Sequence, residues 1–141
     1  MTKKPVKCGI MSRKDFMEMT IAIAKGEYKP KKGMPKVWFE SLQTMAQVLS
    51  TENQKLLYTI IKKKPDSIKS LAELTGREKG NVSRTLKKMR QYGIVDFKVN
   101  NGAKQPIVNY TDFKLEVGLN TYPKFLLDDQ ENAPYHVHEK R

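Results

Sequence analysis

The chain has 141 residues, with 27 Lys and Arg against 15 Asp and Glu and a formal net charge of +12. That length suits one ordinary domain with a modest core, and no apolar run approaches the roughly 20 residues of a membrane span. The single cysteine, Cys8, excludes an internal disulfide and a cysteine-built metal knuckle, while the excess positive charge attracts polyanions, of which nucleic acid is the commonest.

Residues 1–10 read as a mobile basic arm, since Lys3, Lys4 and Lys7 crowd it and no apolar core of a signal peptide follows. A soluble cytoplasmic protein is the expectation. Ser12 with Asp15 resembles a capping box, which starts a helix at Arg13; Phe16, Met19, Thr20, Ile23 and Ala24 fall on one face and Gly26 ends it. Such a face packs on the domain or on a partner subunit. Lys29-Pro30-Lys31-Lys32-Gly33-Met34-Pro35-Lys36 then reads as an extended, solvated linker. It lacks the arginine that a minor-groove arm favours.

Val37-Trp38-Phe39-Glu40 predicts a short extended segment whose aromatics anchor the core. A helix follows over Ser41–Leu49 with Leu42, Met45, Ala46 and Leu49 on one stripe. Ser50 caps the next, Thr51–Lys63, where Leu56, Leu57, Ile60 and Ile61 give a buried face. Lys62-Lys63-Lys64 suits the negative end of that helix's dipole, and Pro65 stops it.

The stretch Ser67–Gly93 organises the rest. Ile68 leads in, Ser70 caps a short helix, Leu71, Ala72 and Leu74 bury one side of it, and Gly76 closes it. A longer helix over 79–92 then carries Val82, Leu86 and Met89 on one stripe, flanked by Thr85 and Tyr92, and a basic opposite face. Gly93 suits its left-handed end. Val95, Phe97 and Val99 alternate as a half-buried strand, and Asn100-Asn101-Gly102 signals a type I′ hairpin turn. A second strand runs from Ala103 to Tyr110, held to an edge by Pro106. Phe113, Leu115, Val117 and Leu119 alternate as a third, and residues 122–141 read as a flexible tail. Three regions result: arm, amphipathic helix and linker over 1–36, a domain over 37–121, and the tail.

The order of helix, helix-turn-helix and hairpin is that of a winged helix-turn-helix domain. Ser70-Leu71-Ala72-Glu73-Leu74-Thr75-Gly76, Asn81-Val82-Ser83-Arg84-Thr85-Leu86-Lys87-Lys88-Met89 and Tyr92-Gly93-Ile94-Val95 resemble the MarR-type branch of that family. The resemblance covers roughly residues 50 to 110 and implies a mainly α fold with a small β-wing, here with an N-terminal helical extension. Lys29-Pro30 and Pro35-Lys36-Val37-Trp38-Phe39-Glu40-Ser41 resemble the lead-in of small prokaryotic DNA-binding regulators, often encoded beside a toxin and regarded as antitoxin repressors. The short N-terminal helix departs from the long flanking helices of MarR dimers.

That resemblance implies double-stranded DNA as partner, a homodimer, and a cognate toxin protein if the antitoxin kinship holds; no membrane partner is expected, because no helix joins a basic face to exposed Trp, Phe and Leu. In the second helix Asn81 is suited to adenine and Arg84 to guanine, while Lys79, Ser83, Lys87 and Lys88 are placed for phosphates. Lys98 and Lys104 flank the hairpin tip, where a wing touches the backbone. An RNA-binding reading ranks below DNA for want of an exposed aromatic platform. Enzyme signals are thin. Gly76-Arg77-Glu78-Lys79-Gly80-Asn81 lacks the Gly-Lys-Ser/Thr of a P-loop, and no serine sits in a nucleophile elbow. His136 and His138 have no third ligand nearby, so neither metal nor cofactor is expected. Cys8 in a basic arm suggests a lowered thiol pKa or, more simply, a chance free thiol.

Overall fold

The computed structural model describes residues 2–118. It is a mixed α/β chain of five helices and two small sheets, in the order β1 Pro5–Ile10, α1 Arg13–Ala24, β2 Val37–Phe39, α2 Leu42–Val48, α3 Thr51–Lys63, α4 Ile68–Thr75, α5 Lys79–Gln91, β3 Val95–Asn100, β4 Ala103–Val108 and β5 Asp112–Leu115. The expected tail, with His136 and His138, and Leu119 lie outside the described residues. Among the described residues no helix is long and apolar enough to cross a membrane.

The expected mobile arm is a correction. Pro5–Ile10 is the central strand of a three-stranded sheet ordered β2-β1-β5, parallel to both neighbours. Cys8 lies opposite Val37 on one side and opposite Leu115 on the other. Val6 and Cys8 turn into the main core, which explains the pairing physically: a strand buried on one face gains more from apolar contact than Lys7 loses by ordering. The expected third strand is present as the shorter β5, and it joins β1, apart from the β3–β4 hairpin. Lys4 and Thr111 lock that start reciprocally, Thr111 N donating to Lys4 O at 2.9 Å and Lys4 N to Thr111 Oγ1 at 2.7 Å.

β1 runs beside β2 with Gly9 paired opposite Trp38. A Cβ on Gly9 would lie 2.5 Å from Trp38 Cζ3 and 3.0 Å from Pro35 Cγ. Gly9→Ala is therefore expected to cost about 1–3 kcal/mol through overpacking. A urea titration followed by the fluorescence of Trp38, the one tryptophan, checks it; an unchanged midpoint would contradict the close approach.

Four helices begin at serines whose hydroxyls accept a backbone N–H three residues on: Ser12, Ser41, Ser50 and Ser67. Ser67, not Ser70, caps α4, so Ile68 is its first residue and not part of an extended lead-in. α3 packs Leu56, Leu57 and Ile60 inward, as its spacing predicts. In α2 the inward residues are Met45, Val48 and Leu49, whereas Leu42 and Ala46 are exposed. Leu74 is likewise exposed. α1 buries Met19 against Met11, Tyr28, Met34 and Trp38 and leaves Phe16, Met17, Ile21 and Ile23 in the open. The linker after it is partly folded back: Lys36 N donates to Lys7 O at 3.0 Å.

The sheet and the helices meet at Phe39, which is fully buried and packs on Tyr92 with ring centroids 4.9 Å apart. Tyr92 Oη donates to Glu40 Oε1 at 2.7 Å. Burial, with the Glu40 hydrogen bond and charge, pushes the Tyr92 phenol up to about 12, and burial alone pushes the Cys8 thiol up to about 11. Both groups hold their protons in the folded chain at pH values where the unfolded chain releases them. The stability these two groups contribute is thus full below pH 9 and falls as pH rises through about 9–11 for Cys8 and 10–12 for Tyr92. Urea midpoints at pH 8, 10 and 11 check this, and Tyr92→Phe should flatten the part of the fall above pH 10.

Candidate nucleic-acid interface

α4 ends at Gly76, whose φ of 69° is the left-handed region that glycine adopts without strain. The chain turns through Arg77 and Glu78 and restarts as α5. Val82, Leu86 and Met89, spaced i, i+4, i+7, are all buried, and they set the rotation of α5 about its axis. Arg84, Lys87, Lys88 and Gln91 are consequently exposed on the far side. After Gly93 the β3–β4 hairpin turns at Asn101 and Gly102, both with positive φ as a type I′ turn requires. Asn109 Nδ2, donating to Gly93 O at 2.9 Å, ties its base to the end of α5.

A groove of about 590 Å³ runs between α5 and this hairpin, lined by Ser83, Lys87, Arg90, Phe97 and Lys104 among others. Lys104 Nζ lies 5.8 Å and Arg90 Cζ 5.7 Å from the centroid of the Phe97 ring. One aromatic ring thus attracts two cations to the groove wall. The strand register pairs Lys98 with Gln105 and Val99 with Lys104, which puts Lys98 and Lys104 on opposite faces of the hairpin. The two hairpin lysines expected to act together are separated by that pleat, and Lys104 is the one beside α5.

Lys79 is exposed in the first turn of α5 and borders a cleft with Lys69 and Glu73 of α4. On the other flank Arg84 and Lys88 border a cleft of about 200 Å³ with Gln47 and Asn53. Among the described residues ion pairs form only at Lys7–Glu116, 3.2 Å, and Arg90–Asp96, 3.7 Å. Lys79, Arg84, Lys87, Lys88, Lys98 and Lys104 therefore carry charge that no carboxylate among the described residues neutralises. Such a surface accepts a polyanion readily, since binding relieves mutual repulsion and releases counterions.

Asn81 is differently placed from the expectation. Its Oδ1 accepts from Arg77 Nη2 at 2.6 Å and Arg77 Nε at 3.1 Å. Arg77 also donates to Asn53 Oδ1 at 3.2 Å and Thr85 Oγ1 at 3.3 Å. Asn53 in turn donates to the carbonyls of Gln47 and Val48, both at 3.1 Å. The oxygen that adenine recognition needs is thus already engaged. Sequence reading missed Arg77; Arg90, expected on the basic face of the second helix but given no contact, lines the groove wall. The i, i+4 spacing of Arg77 and Asn81 was the available sign of the first.

Cys8 corrects the idea of an activated thiol: it is buried in the main core and its thiol is held protonated. Among the described residues no group of three or more His, Cys, Asp and Glu side chains could hold a metal. A larger open groove, about 1060 Å³, lies between α2, α3 and the Tyr110–Phe113 segment and contains none of the eight expected side chains.

Fold and surface together define a mixed α/β protein whose helix α5 exposes Lys79, Arg84, Lys87 and Lys88, none of them in an ion pair among the described residues. Residues 48–115, from the end of α2 through β5, match the model of a family described as HVO_A0114. That match leaves out β1, α1 and β2. No curated protein matches the chain, and no solved structure matches it.

Proposed function

We propose that this chain is a sequence-specific DNA-binding transcriptional regulator of the winged helix-turn-helix type, a repressor that lays α5 in the major groove. The observation that carries this reading is the set of cations on the exposed face of α5 and on the hairpin beside it that form no ion pair among the described residues. Arg84 lies mid-face with a two-pronged donor suited to guanine O6 and N7. Ser83, Lys87 and Lys104 share the groove on the hairpin side, where a sugar–phosphate strand would run. Lys88 serves the opposite flank, Lys79 lies in the first turn beside α4, and Lys98 adds charge from the outer face of the hairpin. Helix, tight turn, helix and hairpin in this order are the parts such a domain needs.

A mobility shift on the DNA upstream of the protein's own gene, across a salt series, tests the reading. Upstream duplex should outcompete random duplex by roughly a thousandfold or more at physiological salt. Affinity should fall linearly in log–log form with salt as phosphate contacts release counterions. Equal affinity for both duplexes would reduce the activity to non-specific binding, and no shift at low salt would remove it.

A further inference from the structure

We infer that Arg77 sets which base Asn81 reads, by making Asn81 a donor-only side chain that favours guanine over adenine. This rests on the DNA-binding reading above and deepens it. An asparagine recognises adenine with both ends of its amide: Nδ2 donates to N7 and Oδ1 accepts from the N6 amino group. Here Oδ1 already accepts two guanidinium N–H groups, at 2.6 and 3.1 Å. Two donors occupy the two lone pairs of a carbonyl oxygen.

The orientation of that amide is chemically forced. Arginine only donates, so whatever faces Arg77 must be oxygen, and Nδ2 is turned the other way. The same logic fixes the next link. Asn53 gives its Nδ2 hydrogens to the carbonyls of Gln47 and Val48, which leaves its oxygen for Arg77 Nη1 at 3.2 Å. Arg77 is itself held by its backbone, its N–H donating to Ala72 O at 3.2 Å in the turn after Gly76. A relay of fixed amides therefore runs from the end of α2 through Asn53 and Arg77 to Asn81 on α5.

Asn81 is exposed and lies on the same flank of α5 as Arg84 and Lys88, at spacings of three and seven residues. What it offers a groove floor is an NH2 group alone. Guanine presents two acceptors in the major groove, N7 and O6, whereas adenine presents one acceptor and one donor. At adenine the second N–H of Asn81 would confront the N6 amino hydrogens. Arg77 is accordingly a positioning residue that acts on base choice through Asn81, not a contact of its own.

Selection from a random duplex library, followed by anisotropy titrations with each base at each position, tests this on the whole chain. The expected wild-type result is one position whose preference depends on Asn81, with guanine favoured over adenine by about fivefold to tenfold, the yield of one well-made hydrogen bond. Arg77→Met frees Oδ1 and should reverse that position to adenine. Asn81→Ala, which leaves Arg77 its bonds to Asn53 and Thr85, should flatten the position without moving the others. A merely structural role for Arg77 would lower affinity everywhere and swap no base. The inference is overturned if Asn81→Ala changes no preference, if the Asn81-dependent position already favours adenine in the wild type, or if Arg77→Met binds with an unaltered preference. A wild-type chain that selects no sequence overturns the DNA-reading proposal and this inference with it; selection with an Asn81-independent pattern overturns the inference alone.

Discussion

Phe39→Ala should lower the stability of the chain by about 3–5 kcal/mol, a shift of roughly 10–20 °C in Tm. Phe39 is fully buried and sits where β2, β1 and the end of α5 converge. Its ring rests on Tyr92 at 4.9 Å, and its carbonyl accepts from Met11 N at 2.9 Å. Truncation removes the transfer free energy of the ring and leaves a cavity walled by two different structural layers. Neither layer can collapse without moving the other, so relaxation recovers little. Since a domain of this size is stable by about 5–15 kcal/mol, the loss is roughly a fifth of the whole at the least. Phe39→Leu, nearer in volume, should cost about 1.5 kcal/mol or less. Urea unfolding of both variants with an unchanged m-value checks the pair. A small loss for Phe39→Ala would mean that the sheet and α5 are less firmly joined than the packing indicates.

The double variant Arg84→Ala/Lys87→Ala should weaken binding to the preferred duplex by about 2–4 kcal/mol, roughly 30- to 1000-fold, with the fold unaffected. Both side chains are exposed and make no ion pair among the described residues, so their loss leaves no buried charge behind. The singles should separate. Arg84→Ala relaxes preference at one base pair, because a guanidinium on a base edge carries sequence information. Lys87→Ala weakens all sequences alike and reduces the salt slope by about 0.9, the loss of one phosphate contact. The side chains stand three residues apart on one helix, so the double is expected to fall short of the sum of the singles. Anisotropy titrations on specific and random duplexes at several salt concentrations, with circular dichroism to verify the helices, provide the test. An equal loss on both duplexes for Arg84→Ala would remove it from base reading. Unchanged affinity in both singles would place the contact elsewhere on the molecule.

Much of the organisation was legible before any coordinates, for a reason that particular residues make clear. α3 and α5 declare themselves through Leu56, Leu57 and Ile60 and through Val82, Leu86 and Met89, because a helix repeats every 3.6 residues and only one phase of each pattern is apolar. Ser12 and Ser50 marked their helix starts, and Asn101-Gly102 marked the hairpin, since these are local chemical solutions to local backbone needs. The exposed face of α5 follows at once from its buried one, and so do Arg84, Lys87 and Lys88.

The errors share the opposite character. Pro5–Ile10 alternates Val6, Cys8 and Ile10 with Lys7 and Gly9, a signal of period two, yet Lys3, Lys4 and Lys7 together read as an arm. Its partners are residues 37–39 and 112–115, far away along the chain, and no short-range pattern names them. The third strand, β5, is legible as a strand from its alternation, but its partner β1 is not, for the same reason. Leu42, Leu74, Phe16 and Ile23 satisfy a helical stripe on paper but are exposed, because which apolar residue is covered depends on what packs against it.

Local periodicity and turn chemistry thus determined by themselves where most helices and the hairpin lie and which side of α5 is basic. The tertiary structure alone decided that the N-terminal strand is the centre of a parallel sheet, that the hairpin pleat sends Lys98 and Lys104 to opposite faces, and that Arg77 holds the oxygen of Asn81. Each of these joins residues that the chain brings together only on folding: strand pairing and side-chain hydrogen bonding are satisfied in space, by whichever donor and acceptor the packed core leaves within reach.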